Sequence, residues 1–169
     1  MKALERISAA RMGAQMDPFS AAPKATVWRL PHAASQENRL LLIADDDQLA
    51  CQSAAHVLRL AGFDVLTAFS GSEVLRLADA ARPGVAILDL SMPFGSGWDA
   101  ASALRSEGAK MLLIAHTGFS AQAEWQRAKQ CGFDAYFVKP CDYDRLIQLI
   151  KAYFWPAGKG ACMTWSGSP

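Results

Sequence analysis

The stretch VAILDLSMP, residues 85–93, places Asp89 directly after a run of four apolar residues. Continuous apolar runs of this length are typical of strands that are buried on both faces of a parallel sheet. Similar runs occur on either side of it, at residues 40–44, 111–115 and 135–138. Residues 63–68, FDVLTA, contain two polar residues and suit a strand at an exposed edge. The chain therefore predicts five strands, with Asp89 at the end of the third.

Segments with the apolar spacing of helices separate these strands, and this alternation is typical of α/β proteins. Gly62 is placed to end the first helix, and Ser70 with Glu73 forms a capping-box pattern that opens the second. Ser120 is placed to cap the fourth helix. We therefore predict an α/β domain with a doubly wound parallel sheet in residues 39–154.

The residues on either side of this domain show no sustained period. Residues 1–38 mix Ala, Pro and Ser with scattered charges, and we expect them to form a flexible extension or linker. Residues 155–169 are expected to form a C-terminal tail. This tail is too short for a helix-turn-helix domain, so we expect no DNA-binding module there and an output that resides in another molecule.

The composition excludes several classes of protein. Of the 169 residues, 51% are hydrophobic and 20% are charged, and the formal net charge is +1. This balance does not fit a disordered chain, and it provides no basic surplus for binding nucleic acid. The apolar runs are far shorter than the roughly 20 residues of a membrane-spanning helix. We expect neither nucleic acid nor a membrane as a partner.

The cysteines and the amino-terminal residues favour a cytoplasmic protein. Cys51, Cys131, Cys141 and Cys162 have no C-x-x-C or Cys/His spacing, so we expect free thiols in a reducing compartment. Residues 1–16 are interrupted by charges and lack the continuous apolar segment of a secretory signal.

Polar residues follow the predicted strands at the point where each strand ends. They are Asp45, Asp46 and Asp47 after the first strand, Asp89 after the third, His116 and Thr117 after the fourth, and Lys139 after the fifth. In open parallel sheets, ligands bind at the carboxyl ends of the strands. We therefore expect these segments to converge on one site.

The residue types at this edge indicate the chemistry. Carboxylates that lie close together repel one another unless a cation compensates them, and an acidic site with room for water suits Mg²⁺. Lys139 adds a second positive charge. Asp89 can then act as a nucleophile toward phosphorus, while Lys139 and the Thr117 hydroxyl stabilise the phosphoryl oxygens. The pattern predicts phosphoryl transfer onto the protein itself.

Four motifs, in order along the chain, resemble those of the receiver domain of two-component response regulators. They are LLIADDD, AILDLSMP, IAHTG and FDAYFVKP. The resemblance covers about residues 39–154, and the combination is far more specific than any one motif. It implies a flavodoxin-like (βα)5 fold with the strand order 2-1-3-4-5. It also implies Mg²⁺-dependent formation of an aspartyl phosphate.

The resemblance implies a role for each acidic residue. Asp89 would be the phosphoacceptor and would bind Mg²⁺ together with Asp46 and the backbone carbonyl of Ser91. Asp45 would act through a metal-bound water. Lys139 would pair with Asp89 and then with the phosphoryl group.

The resemblance also implies a conformational switch. Thr117 would bond to a phosphoryl oxygen, and Tyr136 would rotate inward with it. In the family the peptide bond after the equivalent of Lys139 is commonly cis, and here it leads to Pro140.

Several residues near the site keep two interpretations. Asp47 suits the first turn of a helix as well as a metal site. His116 either tunes the site or lies exposed at its rim. Trp125 either packs against the core or contacts a partner. Gly118 stands where the family often has alanine, so we predict easy access for water and small phosphodonors.

The leading functional hypothesis is a stand-alone receiver that is phosphorylated by a histidine kinase or a histidine phosphotransfer protein. Its output would be a contact with a downstream protein through the face of the fourth helix, fifth strand and fifth helix. A phosphorylation-dependent homodimer stays open as a further arrangement. We expect no enzymatic activity beyond its own phosphorylation and dephosphorylation.

Two alternatives within signalling stay open: a phosphate sink or relay intermediate, and a receiver fragment of a hybrid histidine kinase. The second arises because residues 25–31, ATVWRLP, faintly resemble the last strand of a histidine-kinase ATP-binding domain. An unstructured linker is the preferred interpretation of these residues. An aspartyl-nucleophile phosphatase is disfavoured, because Asp89-Leu90-Ser91 lacks the second acidic residue that such enzymes use.

Overall fold

The computed structural model describes residues 25–30 and 39–155. These residues form six strands: β1 (Ala25–Val27), β2 (Leu40–Ala44), β3 (Asp64–Ala68), β4 (Val85–Leu88), β5 (Leu112–Thr117) and β6 (Ala135–Val138). They also form five helices: α1 (Gln48–Leu60), α2 (Gly71–Ala81), α3 (Gly97–Ser106), α4 (Gln122–Gln130) and α5 (Tyr143–Phe154). None of these helices is long and apolar enough to span a membrane.

The strands form one sheet in the order β1-β6-β5-β4-β2-β3. The five strands β2 to β6 run parallel to one another, whereas β1 is antiparallel to β6. The predicted flavodoxin-like fold is confirmed, because the five parallel strands have the predicted order 2-1-3-4-5. The strand in residues 63–68 lies at an edge, as its polar residues indicated.

The sixth strand corrects the sequence analysis. We expected all of residues 1–38 to be a flexible linker, but Ala25–Val27 pairs with β6 and the side chain of Ala25 is buried. A strand of three residues has too little periodicity to be recognised alone; it forms because the outer edge of β6 offers unpaired backbone groups. Residues 1–24, 31–38 and 156–169 lie outside the described residues, so the expectations for them stay predictions.

Alternate residues of the central strand β2 pack on opposite faces of the sheet. Leu41 and Ile43 join the core beneath α1 and α5, and Leu42 and Ala44 join the core beneath α2, α3 and α4. All four side chains are at most 2% exposed. Burial on both faces is the physical reason why this strand reads as a continuous apolar run.

The helix ends agree with the sequence at one position and correct it at another. Ser70 caps α2 by accepting from the backbone N–H of Glu73, whose carboxylate accepts from the N–H of Phe69. The prediction that Ser120 caps α4 is wrong. The helix begins one residue later, and Ala121 occupies the N-cap position without a side-chain hydrogen bond.

Candidate functional site

The carboxyl ends of four parallel strands meet at one edge of the sheet, as predicted. Backbone hydrogen bonds fix their relative positions: the N–H of Asp89 donates to Ala44 O at 2.8 Å, and the N–H of Lys139 donates to Thr117 O at 2.8 Å. The peptide bond between Lys139 and Pro140 is cis, in agreement with the family resemblance. The strand ends thus hold the acidic, hydroxyl and cationic side chains in one site.

Three carboxylates converge at this edge. Asp45, Asp46 and Asp89 each offer a carboxylate oxygen, and these oxygens all lie within 4.8 Å of one another. Asp45 and Asp89 are buried, whereas Asp46 is exposed to solvent. A set of hard oxygen donors that is open to water on one side fits Mg²⁺, which keeps several water ligands. The roles of Asp46, Asp45 and the Ser91 carbonyl as ligands stay predictions.

Asp47 does not belong to this cluster. Its carboxylate accepts hydrogen bonds from the N–H groups of Leu49 at 3.0 Å and Ala50 at 3.1 Å, so it is the N-cap of α1. Of the two interpretations of Asp47, the structure supports the helical one. The cap in turn positions the preceding aspartates, because the N–H of Asp47 donates to Asp45 Oδ1.

Lys139 bridges two of the carboxylates. Its Nζ atom lies 2.7 Å from Asp45 Oδ2 and 3.6 Å from Asp89 Oδ1. We expected Lys139 to pair with Asp89, and the structure adds a shorter contact with Asp45. The ammonium group therefore compensates the negative charges of both buried carboxylates. Its effect on Asp89 is the weaker one, because that distance is longer.

The electrostatic environment of Asp89 disfavours its charged form. Burial, the largest cause, and the nearby charge of Asp45 raise the pKa of Asp89 above its ordinary value. Lys139, the Leu90 N–H and the Thr117 side chain act in the opposite direction. A carboxylate in this state gains from any additional cation, because the cation relieves repulsion that the protein leaves in place.

The predicted switch residues lie on the side of the site toward α4. Thr117 ends β5 and is 1% exposed; its Oγ1 atom accepts from the N–H of Phe119 at 3.4 Å. Tyr136 is equally buried, and its hydroxyl donates to Phe119 O at 2.8 Å. The two side chains are thus connected through one loop residue, with Tyr136 in an inward position. Their role as a switch stays a prediction.

His116 is buried, so the interpretation of an exposed rim residue is wrong. Burial, and secondarily the charge of Lys139, lower the pKa of His116 to about 4. Its ring packs against that of Tyr143 at a centroid distance of 6.0 Å. The two rings line a cleft of about 230 Å³ that reaches Asp45 and Lys139.

Glycines allow the loops around Asp89 to pack closely. A Cβ atom at Gly97, the first residue of α3, would lie 2.0 Å from Asp89 O, so only glycine fits there. At Gly118 the situation is the opposite, because an added Cβ would meet nothing within 4 Å. The backbone at Gly118 is therefore open, and the predicted access of water and small phosphodonors stays a prediction.

Two residues that contact α4 and the start of β6 were missed by the sequence analysis. Trp28, which follows β1, packs its ring against Trp125 of α4, and Arg29 forms an ion pair with Asp134. The interpretations of Trp125 were core packing and partner contact, and the structure places it partly buried beneath Trp28. The available signal was the alternation in residues 25–29, which is too short to be specific.

The sequence model of the response regulator receiver domain matches residues 41–151. The chain belongs to this family. PdtaR, a transcriptional regulatory protein of Mycobacterium tuberculosis, is 35% identical over 114 residues, which is 67% of this chain and 55% of PdtaR. This receiver thus spans about half the length of that curated relative.

Shorter relatives and solved structures agree with this assignment. The polar-differentiation response regulator DivK of Brucella anthropi is 28% identical over 115 residues, 67% of this chain and 94% of DivK. The receiver domain of Francisella response regulator 1452 superimposes with a TM-score of 0.65 at 26% identity, over 68% of this chain and 95% of that one. Chemotaxis protein CheY4 of Vibrio cholerae gives a TM-score of 0.63 at 28% identity, over 68% and 97%.

Proposed function

We propose that this receiver accepts a phosphoryl group on Asp89 from a phosphohistidine of a histidine kinase or a histidine phosphotransfer protein. The observation that carries the proposal is the convergence of Asp45, Asp46 and Asp89 within 4.8 Å, with Lys139 in contact with two of them. This arrangement combines a nucleophile, a place for a divalent cation and a fixed positive charge.

The transfer step follows from the position of Asp89. A carboxylate oxygen of Asp89 attacks phosphorus, a P–O bond replaces the P–N bond, and the departing imidazole nitrogen keeps the electron pair and is then protonated. Bound Mg²⁺, held by Asp46, Asp89 and the Ser91 carbonyl, would supply positive charge toward the phosphoryl oxygens. Lys139 and the Thr117 hydroxyl are close enough to Asp89 to stabilise the same oxygens.

Signalling would follow from the connection between Thr117 and Tyr136. A Thr117 side chain that is held by the phosphoryl group also fixes Phe119, which accepts the hydroxyl of Tyr136. Phosphorylation thereby favours one arrangement of the face formed by α4, β6 and α5. Downstream proteins, or a second phosphorylated copy, would recognise that face, in which β1 covers the outer edge of β6.

We assign no chemistry beyond the phosphorylation and dephosphorylation of Asp89. Cys51, Cys131 and Cys141 are free thiols, which supports a location in the reducing cytoplasm.

Intact-mass analysis in the presence of a small phosphodonor such as acetyl phosphate tests the proposal. The wild-type chain should gain one phosphoryl mass with Mg²⁺ and lose this gain when Mg²⁺ is chelated. Asp89→Asn should gain nothing, whereas Asp79→Asn, an exposed residue of α2, should behave as the wild type. A folded wild-type chain that never gains the mass, or an Asp89→Asn variant that does, would overturn the proposal.

A phosphate sink or relay intermediate is the second candidate, and the space at Gly118 favours it. An added Cβ at Gly118 would meet nothing within 4 Å, and we infer that this open space gives water easier access to the phosphoryl group. Gly118→Ala should therefore lengthen the lifetime of the aspartyl phosphate several-fold without loss of folding. An unchanged lifetime would remove this support.

A further inference from the structure

The outer edge of β6 is covered by a segment that precedes the five β/α units. In β1, Thr26 lies opposite Tyr136 and Val27 opposite Ala135, in antiparallel register. The pairing continues past the strand, because the N–H groups of Trp28 and Arg29 both donate to Asp134 O, at 2.8 and 3.2 Å. Residues 25–30 thus add a strand to the sheet by backbone hydrogen bonds, a mode by which proteins also bind extended peptides.

An aromatic contact anchors this segment to α4 and to the switch tyrosine. The ring of Trp28 lies 5.5 Å from that of Trp125, and 6.3 Å from that of Tyr136 in an edge-on arrangement. Tryptophan anchors in partly buried positions carry a large share of the energy in many protein interfaces. The segment therefore covers Tyr136 on the face that the proposed function assigns to downstream proteins.

An ion pair fixes the direction in which this segment binds and makes the binding more specific. The Nε and Nη2 atoms of Arg29 both lie 2.8 Å from Asp134 Oδ1, although the Arg29 side chain is 62% exposed. Asp134 is 1% exposed and is also paired with Arg105 and with the N–H of Leu113. Since Arg105 already compensates the carboxylate within the domain, Arg29 adds a second contact that reaches in from outside.

The contact between this segment and α4 leaves two buried hydrogen-bond donors without an acceptor. The buried indole N–H groups of Trp28 and Trp125 both lack a hydrogen-bond acceptor among the described residues. Buried donors without partners are costly and rare in permanent cores. The contact between Trp28 and Trp125 contains two such donors and lies at the end of a strand of three residues. It is therefore exchanged more easily than the core contacts around it.

We propose that the groove between β6 and α4 is a strand-docking site whose resident occupant is this chain's own residues 25–30. An extended strand of a partner protein, with a tryptophan–arginine pair that reaches Trp125 and Asp134, would compete for the same groove. The docking depends on backbone hydrogen bonds, an aromatic contact and an ion pair. None of these contacts involves Asp89, so docking does not require Asp89 to be phosphorylated.

The test uses the full chain and a fluorescein-labelled peptide, ATVWRL, with the sequence of residues 25–30. Trp28→Ala combined with Arg29→Ala removes the anchors of the resident strand and leaves the groove intact. Fluorescence anisotropy should then show peptide binding at least tenfold tighter than to the wild type, whose groove is filled. The peptide ATVAAL, which lacks both anchors, should bind neither protein.

Three outcomes would overturn the proposal. The double variant and the wild type could bind ATVWRL equally or not at all, or ATVAAL could bind as well as ATVWRL. Sedimentation could also show a wild-type dimer that the peptide converts to a monomer, and the occupant would then be a second copy. Circular dichroism of the double variant controls for folding, and Trp28→Phe with Arg29 retained should keep the wild-type weak binding. All measurements omit phosphodonor, so a failure of phosphorylation at Asp89 leaves this test unaffected.

Discussion

Two carboxylates are buried at opposite ends of the same sheet, and the protein compensates them differently. Asp134, just before the amino end of β6, accepts from Arg105, from Arg29 and from the N–H of Leu113. Each of its oxygens has at least one cationic partner. Such a carboxylate is a structural element, because a buried charge is tolerated when it is paired and fully hydrogen-bonded.

Asp89, at the carboxyl end of β4, has no comparable set of partners. Its cationic neighbour Lys139 is 3.6 Å away and lies closer to Asp45, and burial raises the pKa of Asp89. A carboxylate that is short of compensation is ready to gain a cation and to react. The difference teaches that the two buried aspartates differ in how completely they are paired rather than in burial, and incomplete pairing is what the proposed reactivity of Asp89 requires.

The largest expected effect comes from breaking the structural pair. Arg105→Leu leaves the buried Asp134 with only the exposed Arg29 as a cationic partner among the described residues, and it also removes donors to the carbonyls of Gly132, Ala109 and Met111. Loss of one partner of a buried ion pair typically costs about 3–5 kcal/mol. Urea denaturation should show a loss in the free energy of unfolding of this size.

The matched control is an exposed ion pair. Arg76 and Glu73 lie 3.5 Å apart on α2, and exposed pairs of this kind contribute well under about 1 kcal/mol. Arg76→Ala should therefore leave the free energy of unfolding nearly unchanged. If Arg105→Leu were as mild as Arg76→Ala, Asp134 would not depend on its partners.

The polar residues at the carboxyl end of the sheet could largely be predicted from the sequence. Each polar residue there follows a continuous apolar strand, and strands buried on both faces, such as β2 and β4, were predicted to the residue. The motif order also pointed to Asp89, Thr117 and Lys139, and the structure places all three at this edge, while their roles stay predictions. Local sequence therefore determines which side chains reach this edge, because the period and the ends of the strands are themselves local features.

The surroundings of Asp134, at the other end of the sheet, could not be predicted in the same way. The partners of Asp134 come from α3, from β5 and from the residues that follow β1, which are distant in sequence and have no recognisable spacing. The strand β1 forms only because β6 offers an edge, and the burial of His116 depends on Tyr143 of α5. Contacts that tertiary packing creates leave no periodic signal in the chain.

His116 is buried and lines the same cleft as Asp45 and Lys139. It stays neutral in the folded chain down to its pKa of about 4, whereas in the unfolded chain it takes up a proton near its ordinary pKa of 6.5. The unfolded state therefore binds more protons between these values, and stability falls as the pH falls from 6.5 to 4. The full effect is about 3 kcal/mol.

His116→Gln measures this contribution. Urea denaturation of both proteins between pH 7 and pH 4 should show that the wild type loses stability more steeply, by up to about 3 kcal/mol at the acid end. Asp89 is present in both proteins, so its titration cancels in the difference. Parallel stability profiles would contradict the buried, neutral state of His116.

The smallest expected effect, and the sharpest contrast with Arg105→Leu, comes from Asp89→Asn. Its raised pKa means that the folded chain holds the Asp89 proton more tightly than the unfolded chain, which releases it near 3.8. Ionisation of Asp89 therefore destabilises the fold as the pH rises above that value. Without Mg²⁺ at pH 7, Asp89→Asn should raise the free energy of unfolding by on the order of 1 kcal/mol. The gain should disappear toward pH 3, and Mg²⁺ should stabilise the wild type more than the variant.

A variant that is less stable than the wild type at pH 7 would show that Asp89 is as well compensated as Asp134, and the distinction between the two carboxylates would fail.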